Sequence, residues 1–368
     1  MKLSDCWRAI EAVAAANGVS AVGASELSDP SAGKFLDWIG EGRHAEMSWL
    51  EKNAQDRLHP SERFPWAQSV VAIAVPYSAE RPSSSPDAIA NLIARYALGD
   101  DYHSAIDQIL RQIEAAILTV DPEARSRRYV DTGPLSDRSY GAAGGLGWIG
   151  KNGMLIDPDR GSYFFIGTLL TSLEHDLTFG EITDRCGSCT RCIDACPTDA
   201  ILPDRTVDSG RCISYATIEQ RGPLQPFMAS SIEGTIFGCD ICQEVCPWNA
   251  APSPSHPSFI TRESYRATPV SDLLKMDQGA FSAFFTKSAV KRAKRAGVIR
   301  NTLLQLSAIS EDVTAALNSE SDPGIQAALT LRERAFPSPE EEGGALAPDE
   351  GSRDSKPDSS NNEGLRVR

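Results

Sequence analysis

Two cysteine runs decide how this chain folds: Cys186-Gly-Ser-Cys189-Thr-Arg-Cys192-Ile-Asp-Ala-Cys196-Pro197 and Cys239-Asp-Ile-Cys242-Gln-Glu-Val-Cys246-Pro247. The first run has the spacing C-x2-C-x2-C-x3-C-P, in which the fourth cysteine ligates the other iron–sulfur cluster of a pair. The second run is one ligand short, and Cys212, which lies between the runs, can supply it. These eight thiolates predict two [4Fe-4S] clusters, which transfer electrons one at a time.

The spacing also predicts how the thiolates divide between the clusters. A loop with ligands three residues apart can cup three corners of a cubane, so the fourth ligand must come from elsewhere and the two runs interlock. The first cluster takes Cys186, Cys189, Cys192 and Cys246, and the second takes Cys196, Cys212, Cys239 and Cys242.

Two other uses of clustered cysteines fit less well. Zinc sites favour paired C-x2-C knuckles and do not account for the two Cys-Pro endings. Disulfides are typical of exported proteins, and we recognise no signal peptide. The ninth cysteine, Cys6, lies in an N-terminal helical pattern, where we expect a small buried hydrophobic residue.

The composition favours a globular protein of two or three domains. Of its 368 residues 41% are hydrophobic, and no apolar run approaches the roughly 18 residues that a membrane span needs. Many thiols and the lack of a targeting segment favour a reducing, cytoplasmic location. The net charge of −14 argues against a generally basic nucleic-acid-binding protein.

Residues 1–180 are predicted to form an α/β domain, because helical and strand patterns alternate there. Ser69–Pro76 is a continuous apolar run typical of a central strand, and Ser162–Thr171 reads as a second strand. His103–Thr119 is an amphipathic helical pattern, and Arg128–Asp131 is predicted to be a strand edge.

Three further segments follow this domain. Residues 181–250 contain the cysteine runs and are predicted to form a two-cluster ferredoxin-like domain, and residues 251–336 an α-helical segment with helical-repeat-like spacing. Residues 337–368 are rich in Pro, Gly, Ser and acids and lack aromatic residues. Such a segment cannot bury enough apolar surface to offset its ordering entropy, so a disordered acidic tail is predicted.

A glycine motif in the first domain needs interpretation. Gly145-Leu-Gly147-Trp-Ile-Gly150 matches G-x-G-x-x-G, and with Lys151 it comes near a P-loop. The motif does not follow a first strand or open a helix, and Asn152 replaces the Ser or Thr that binds magnesium, so neither nucleotide site is favoured. Glycines here permit close approach of the backbone to a large flat ligand.

Several motifs in the order of the chain carry a family resemblance. They are Ala94-Arg-Tyr-Ala97, Asp101-Tyr-His103, Asp131-Thr-Gly-Pro-Leu135, Gly144-Gly-Leu-Gly-Trp-Ile-Gly-Lys-Asn152, Cys212-Ile-Ser-Tyr215, Cys246-Pro-Trp-Asn249 and Arg300-Asn301. Together they closely resemble the epoxyqueuosine reductases, over roughly residues 5 to 310.

The resemblance implies a cobalamin cofactor beside the clusters and a tRNA substrate with a queuosine-family anticodon. It implies reductive removal of the epoxide oxygen from the wobble nucleoside, with electrons passing from the clusters to cobalamin and with an external electron donor. Asp131 matches the family's proton donor. His103 is not expected to ligate cobalt, because the family's cobalamin has no protein histidine below the metal.

The resemblance also implies a set of cofactor-binding residues that lie in matching motifs and could contact the corrin or its amides. They are Arg57, Tyr96, Asp101, Asp131, Lys151, Asn152, Ser214 and Asp240.

One strongly basic segment, Lys287–Arg300, predicts an RNA contact. It holds six basic residues and no acid inside an acidic protein, at spacings that would share a helix face. An anticodon loop offers an unstacked base without duplex opening. The predicted tRNA contacts are Lys287, Lys291, Arg292, Lys294, Arg295 and Arg300.

Two alternative functions share parts of this pattern. A reductive dehalogenase uses cobalamin and two clusters, but the basic segment has no purpose with a small organohalide. A two-cluster ferredoxin-type electron carrier needs neither an α/β domain of about 180 residues nor the Asp131 loop.

Overall fold

The structure is a computed structural model that describes residues 1–28, 31–77, 81, 84–180, 182–232, 234–250 and 254–335. The tail predicted over residues 337–368 lies outside the described residues. Within the described ranges, no helix is long and apolar enough to span a membrane.

The N-terminal part is built on a four-stranded sheet with the strand order β1-β2-β6-β3. Each neighbouring pair is antiparallel, an arrangement that the alternation of helices and strands did not specify. The central strand predicted from the apolar run is β2, in which every residue is buried. The strands are β1 Ala21–Glu26, β2 Ser69–Pro76, β3 Ser126–Tyr129, β4 Trp148–Ile149, β5 Leu155–Ile156 and β6 Phe164–Thr171, with β4 and β5 forming a separate hairpin.

Successive residues of β2 point to opposite sides of the sheet, and all of them are buried, so both faces of the sheet are covered. On one face Val71 and Ile73 pack against α1 and α6, and on the other Ala72 and Ala74 pack beside α7 and the β4–β5 hairpin. The amphipathic helix predicted at 103–119 is α6. These helices are α1 Leu3–Ala16, α2 Ala32–Gly40, α3 Ser48–Lys52, α4 Ala54–Leu58, α5 Pro60–Arg63, α6 Tyr102–Val120 and α7 Asp137–Ala143.

The rest of the described chain is helical, and its elements are mostly short. The cysteine region is joined to the first part by a bridge between Ile93 and Phe237. Farther on, Ile299 and Leu303 of α14 share a core with Ile325 and Leu329 of α16. The helices are α8 Arg191–Asp194, α9 Ile213–Ile218, α10 Pro226–Ser231, α11 Ile241–Glu244, α12 Glu263–Ala267, α13 Gln278–Phe284, α14 Lys294–Leu303, α15 Glu311–Asn318 and α16 Pro323–Ala335.

Candidate active site and iron–sulfur centres

Asp131 begins an exposed loop that directly follows β3. The strand predicted to reach Asp131 ends at Tyr129, and Asp131 itself has a positive φ of 55°, which is uncommon for a residue other than glycine. The Tyr102 hydroxyl donates a short hydrogen bond to the Asp131 carboxylate. Arg57 donates to the carbonyl oxygens of Gly133 at 3.1 Å and Leu135 at 2.5 Å, so it fixes the loop backbone. The loop therefore holds one carboxyl group in a strained, defined position.

The residue pair on either side of Tyr102 stabilises its position. The Tyr102 ring stacks on Phe165 and on His103, with ring centroids 4.2 and 4.3 Å apart. Asp101 caps α6 and lies 2.6 Å from His103 Nδ1. This bond lowers the pKa of Asp101 and raises the pKa of His103, which favours the charged form of both.

Tyr96 lies between the Asp131 site and the cysteine region, because its ring centroid is 6.2 Å from that of Tyr102 and 6.0 Å from that of Phe237, two residues before Cys239. Burial is the main cause that raises the pKa of its phenol, and the charges of Asp131, Asp240 and Asp101 raise it further. Burial and Asp131 also raise the pKa of Tyr102 above its ordinary value. Both phenols consequently remain neutral proton donors beside the carboxyl group.

A second carboxyl group near Asp131 was missed by the sequence reasoning. Burial, and then the charge of Asp131, raises the pKa of Asp137 to about 7. Asp137 accepts a hydrogen bond from Thr168 Oγ1 at 2.8 Å. Burial and the charge of Asp131 thus favour the protonated form of a second carboxyl group near the Asp131 loop. An acid at the start of a helix is so common that its position in the sequence gave no signal.

The thiols predicted for the first cluster surround one cavity. It has a volume of about 270 Å³, and its lining includes Cys186, Cys189, Cys192, Cys246 and Trp248. A tetrahedral zinc ion would hold four sulfur atoms about 2.3 Å from the metal. Within the described ranges, no three or more His, Cys, Asp or Glu side chains lie close enough together to hold a single metal ion. The volume of this cavity, lined by four thiols, suits an inorganic group larger than a single zinc ion.

The thiols predicted for the second cluster lie deeper in the protein. Burial raises the pKa of Cys239 to about 12, and the neighbouring Cys212, Asp240 and Cys196 raise it further. Burial likewise raises the pKa of Cys242, where Cys239 and Cys212 contribute next. Because these thiols affect one another's pKa, all four predicted ligands of the second cluster lie near one another. Neutral thiols cannot bind iron, so a bound metal must compensate for this burial.

Three of the predicted cofactor-binding residues support the cysteine loops. Lys151 Nζ donates to the carbonyl oxygens of Gly187 and Cys189, each at 2.8 Å. Asn152 is buried, with its amide nitrogen 3.4 Å from the Cys242 carbonyl oxygen.

Asp240 is also buried, and it accepts from the Arg95 backbone N–H at 2.8 Å and from the Arg95 guanidinium at 3.2 Å. Ser214 is half-buried and lies two residues after Cys212. The structure therefore places Lys151, Asn152 and Asp240 in contacts with protein, whereas Arg57, Tyr96 and Asp101 lie around the Asp131 loop.

The glycine motif allows protein segments to approach each other. A Cβ atom on Gly147 would lie 2.2 Å from the Ile156 carbonyl oxygen, and one on Gly150 would lie 2.5 Å from Ile156 Cδ1. Gly145 has a φ of 76° and faces Phe179. The expectation of a ligand lying against these glycines is corrected, because the space is filled by the β4–β5 hairpin and its neighbours.

The basic segment is not one continuous helix face. A 3₁₀ turn over Ala289–Ala293 precedes α14, and Lys287 and Lys294 have positive φ values of 52° and 62°. Lys287, Lys291 and Lys294 are exposed. Arg292 pairs with Glu219 at 2.8 Å.

Arg300 differs from the other predicted tRNA contacts because it is only 2% exposed. Its guanidinium donates to the carbonyl oxygens of Ala216 at 2.6 Å, Gly222 at 2.7 Å and Gln220 at 3.1 Å. Arg300 therefore joins α14 to the segment after α9 and is not available to a phosphate. Arg295 is largely enclosed too, and it donates to Glu320 at 2.6 Å.

Trp49 is a surface residue that the sequence gave no reason to select. It is 39% exposed, and the Arg292 guanidinium lies 5.2 Å from its ring centroid. Arg292 is also close enough to Tyr96 and Tyr102 for their phenols to influence its pKa. Trp49 and Arg292 therefore lie at the edge of the Asp131 site.

Comparisons with known proteins agree with this geometry. The family model of a 4Fe-4S double cluster binding domain matches residues 185–249, and that of epoxyqueuosine reductase QueG, DUF1730, matches residues 57–132. An epoxyqueuosine reductase from Synechocystis sp. is 36% identical over 78% of this chain and 99% of its own length. The chain belongs to the epoxyqueuosine reductase family.

Solved structures of epoxyqueuosine reductases have the same fold. One, a crystal structure with an epoxyqueuosine-modified tRNA-Tyr stem loop, is 26% identical with a TM-score of 0.83 and covers 92% of each chain. Another, from Bacillus subtilis, has its catalytic aspartate loop swung out of the active site. It is 25% identical with a TM-score of 0.81 and covers 92% of this chain and 91% of that chain. The predicted family and the predicted pair of clusters are confirmed.

Proposed function

We propose that this chain reduces epoxyqueuosine in tRNA to queuosine, with Asp131 as the proton donor. The observation that carries the proposal is the exposed Asp131 carboxyl group, held by Tyr102 on a loop that meets the cysteine region at Tyr96. An acid at that junction can act on an oxygen atom that is being reduced. Membership of the family supplies the substrate.

The chemistry requires a proton at one defined atom. Two electrons and two protons remove the epoxide oxygen as water and leave a carbon–carbon double bond. The departing oxygen is a poor leaving group until it is protonated, and a positioned acid contributes about 10²–10⁴-fold. Asp131 is exposed to the substrate side, and the neighbouring Tyr102 hydroxyl fixes the direction of its carboxyl group.

Two cofactor types fit the residues around this site. The cavity lined by Cys186, Cys189, Cys192 and Cys246 suits a cubane, and the buried set Cys196, Cys212, Cys239 and Cys242 suits a second one. Tyr96 and Tyr102, whose ring centroids lie 6.2 Å apart beside Asp131, and Ser214, two residues after Cys212, would be the residues that hold a corrin. When bound, the clusters supply single electrons and cobalamin supplies a metal centre that accepts them beside the substrate.

The tRNA contact surface consists of Lys287, Lys291, Lys294, Arg292 and Trp49. The three lysines are exposed and suit phosphates, while the Trp49 ring suits an unstacked base. The hydrogen bond with Glu219 is the main cause that raises the pKa of Arg292, and the Tyr102 phenol contributes, which supports a place for this surface near the Asp131 loop. A wobble nucleoside could then reach Asp131 while its neighbours stay on the surface.

Nucleoside analysis of tRNA provides the test. Cells that lack the gene and contain no second enzyme for this step should accumulate epoxyqueuosine and lose queuosine. Expression of the intact gene should restore queuosine, and expression of D131N should not. Normal queuosine in the deleted strain would refute the proposed function.

A further inference from the structure

The thiols of both sets are half-buried, but the loop around the first cavity is more exposed than the segment around Cys239 and Cys242. In the loop beside the cavity, Gly187 and Ser188 are exposed, and a Cβ atom on Gly187 would meet no atom within 4 Å. Around the second set, Gly238 and Asp240 on either side of Cys239 are buried. An external redox partner can therefore come closest to the first cavity, since electron transfer needs a short distance and little intervening protein.

The rim of this cavity is positively charged. Arg185 and Arg191 line it and are exposed, and within the described ranges neither forms an ion pair. Arg185 lies 5.8 Å from the centroid of the Trp248 ring, which orients its side chain. Lys151 adds a third positive charge beneath the loop. In a protein with a net charge of −14, this concentration of cations is a local exception.

Nearby carboxylates are mostly compensated by other cations. Asp184 pairs with Arg205, and Glu244 pairs with Arg95 at 2.5 Å. Asp194 accepts a hydrogen bond from Thr190 at 2.7 Å and forms no ion pair with any described residue. Among the described residues, the rim thus presents two exposed guanidinium groups without an ion pair against one such carboxylate, Asp194.

A shallow cleft continues from the cavity, and its lining includes Asp194 and Glu244 as well as Arg191. It has a volume of about 650 Å³ and shares Arg191, Cys246 and Pro247 with the cavity. Electron-transfer complexes use small interfaces, for which charge complementarity sets the association rate more than buried area does.

We propose that the rim formed by Arg185 and Arg191 is the docking surface for a small acidic carrier protein that donates single electrons, and that these electrons enter through the first cluster. Each transfer oxidises the carrier by one electron and reduces the cluster by one electron, without forming or breaking a covalent bond. The Lys287–Lys294 surface is left for tRNA. This inference concerns the electron supply and does not depend on the identity of the nucleoside.

The test uses the cluster-loaded protein without tRNA and flavodoxin hydroquinone as an acidic one-electron donor. Stopped-flow absorbance follows reduction of the clusters between low and high salt. R185E/R191E should lower the second-order rate at low salt by at least about 10-fold and remove most of its salt dependence. Binding of oxidised flavodoxin should weaken in parallel.

The matched control is K287E/K291E, which changes the net charge by the same amount on the other surface. It should keep the flavodoxin rate within about twofold and lose tRNA affinity instead. Reduction by a neutral deazaflavin photoreductant should be equal in all variants, which separates docking from damaged clusters. If R185E/R191E loses iron, R185Q/R191Q takes its place, and the decrease in the rate of reduction by flavodoxin should be smaller. Equal flavodoxin rates in rim and control variants would overturn the proposal.

Discussion

The Tyr102 hydroxyl donates a hydrogen bond to the carboxylate of Asp131, whose backbone has a positive φ of 55°. The two residues come from different elements, since Tyr102 begins α6 and Asp131 follows β3. The α6 helix thus holds the acid in place against a strained loop. In the Bacillus subtilis relative the catalytic aspartate loop is swung out of the active site.

Removing the acid should stop the reaction without disturbing the protein. We expect D131N to keep its clusters and tRNA affinity, while turnover falls by about 10²–10⁴-fold. Mass spectrometry of digested tRNA measures the product. The exposed carboxylate variant D312N on α15 should retain full activity. Activity in D131N comparable with that of D312N would remove Asp131 from the proton-donor role.

Removing the hydroxyl that holds the acid should have a smaller effect. Y102F should lower single-turnover rates by about 10- to 100-fold, because a hydrogen bond to a charged group contributes about 1.5–3 kcal/mol. The control is Y265F, which removes a phenol that lies 2.7 Å from Ser288 Oγ, away from Asp131. If both variants slow the reaction equally, the Tyr102–Asp131 bond has no special part in it.

The exposed lysines should determine the salt dependence of tRNA binding. Each of K287Q, K291Q and K294Q should weaken binding and flatten the slope of log K against log salt by about 1 per lost phosphate contact. R8Q, on the exposed side of α1, removes one charge elsewhere and should leave the slope unchanged. Identical slopes of log K against log salt in all four variants would show that these lysines do not contact the tRNA phosphates.

Arg300 should be required for stability instead. R300L leaves the carbonyl oxygens of Ala216, Gln220 and Gly222 without their donor, and should reduce the free energy of unfolding by about 3 kcal/mol or more. R300K should retain part of that free energy. Thermal unfolding measures the loss, and tRNA binding at low temperature should be unaffected in the folded fraction. A selective loss of tRNA affinity with normal stability would contradict this structural role.

Asp137 should make stability depend on pH. Its folded pKa of about 7 exceeds its ordinary value, so the folded state binds the proton more tightly than the unfolded state. Stability therefore falls as pH rises from about 4 to about 7, and is constant above that window. D137N should raise the unfolding midpoint at pH 8 by several degrees and change it little at pH 5, compared with D312N. A constant difference at both pH values would exclude a raised pKa.

The sequence predicted the parts of this molecule whose signals are local. Cysteine spacing predicted two clusters, in agreement with the double cluster family model, and the apolar run Ser69–Pro76 identified the central strand. The antiparallel pairing was not predictable, because it depends on contacts between distant residues. The prediction that Arg300 contacts tRNA was wrong for the same reason, because the carbonyl oxygens that it binds lie 78 to 84 residues away in the chain.

Cys246 comes from the second cysteine run but lines the cavity formed by the first. Neither run can complete its own ligand set, so cluster binding couples the folding of the two runs and of α8 and α11. Oxidation of the first cluster would release Cys246 and loosen α11. This helix begins two residues after Cys239, a predicted ligand of the second cluster. The two clusters should accordingly be lost together. A preparation with half of the full iron content should therefore be a mixture of molecules with both clusters and molecules with neither.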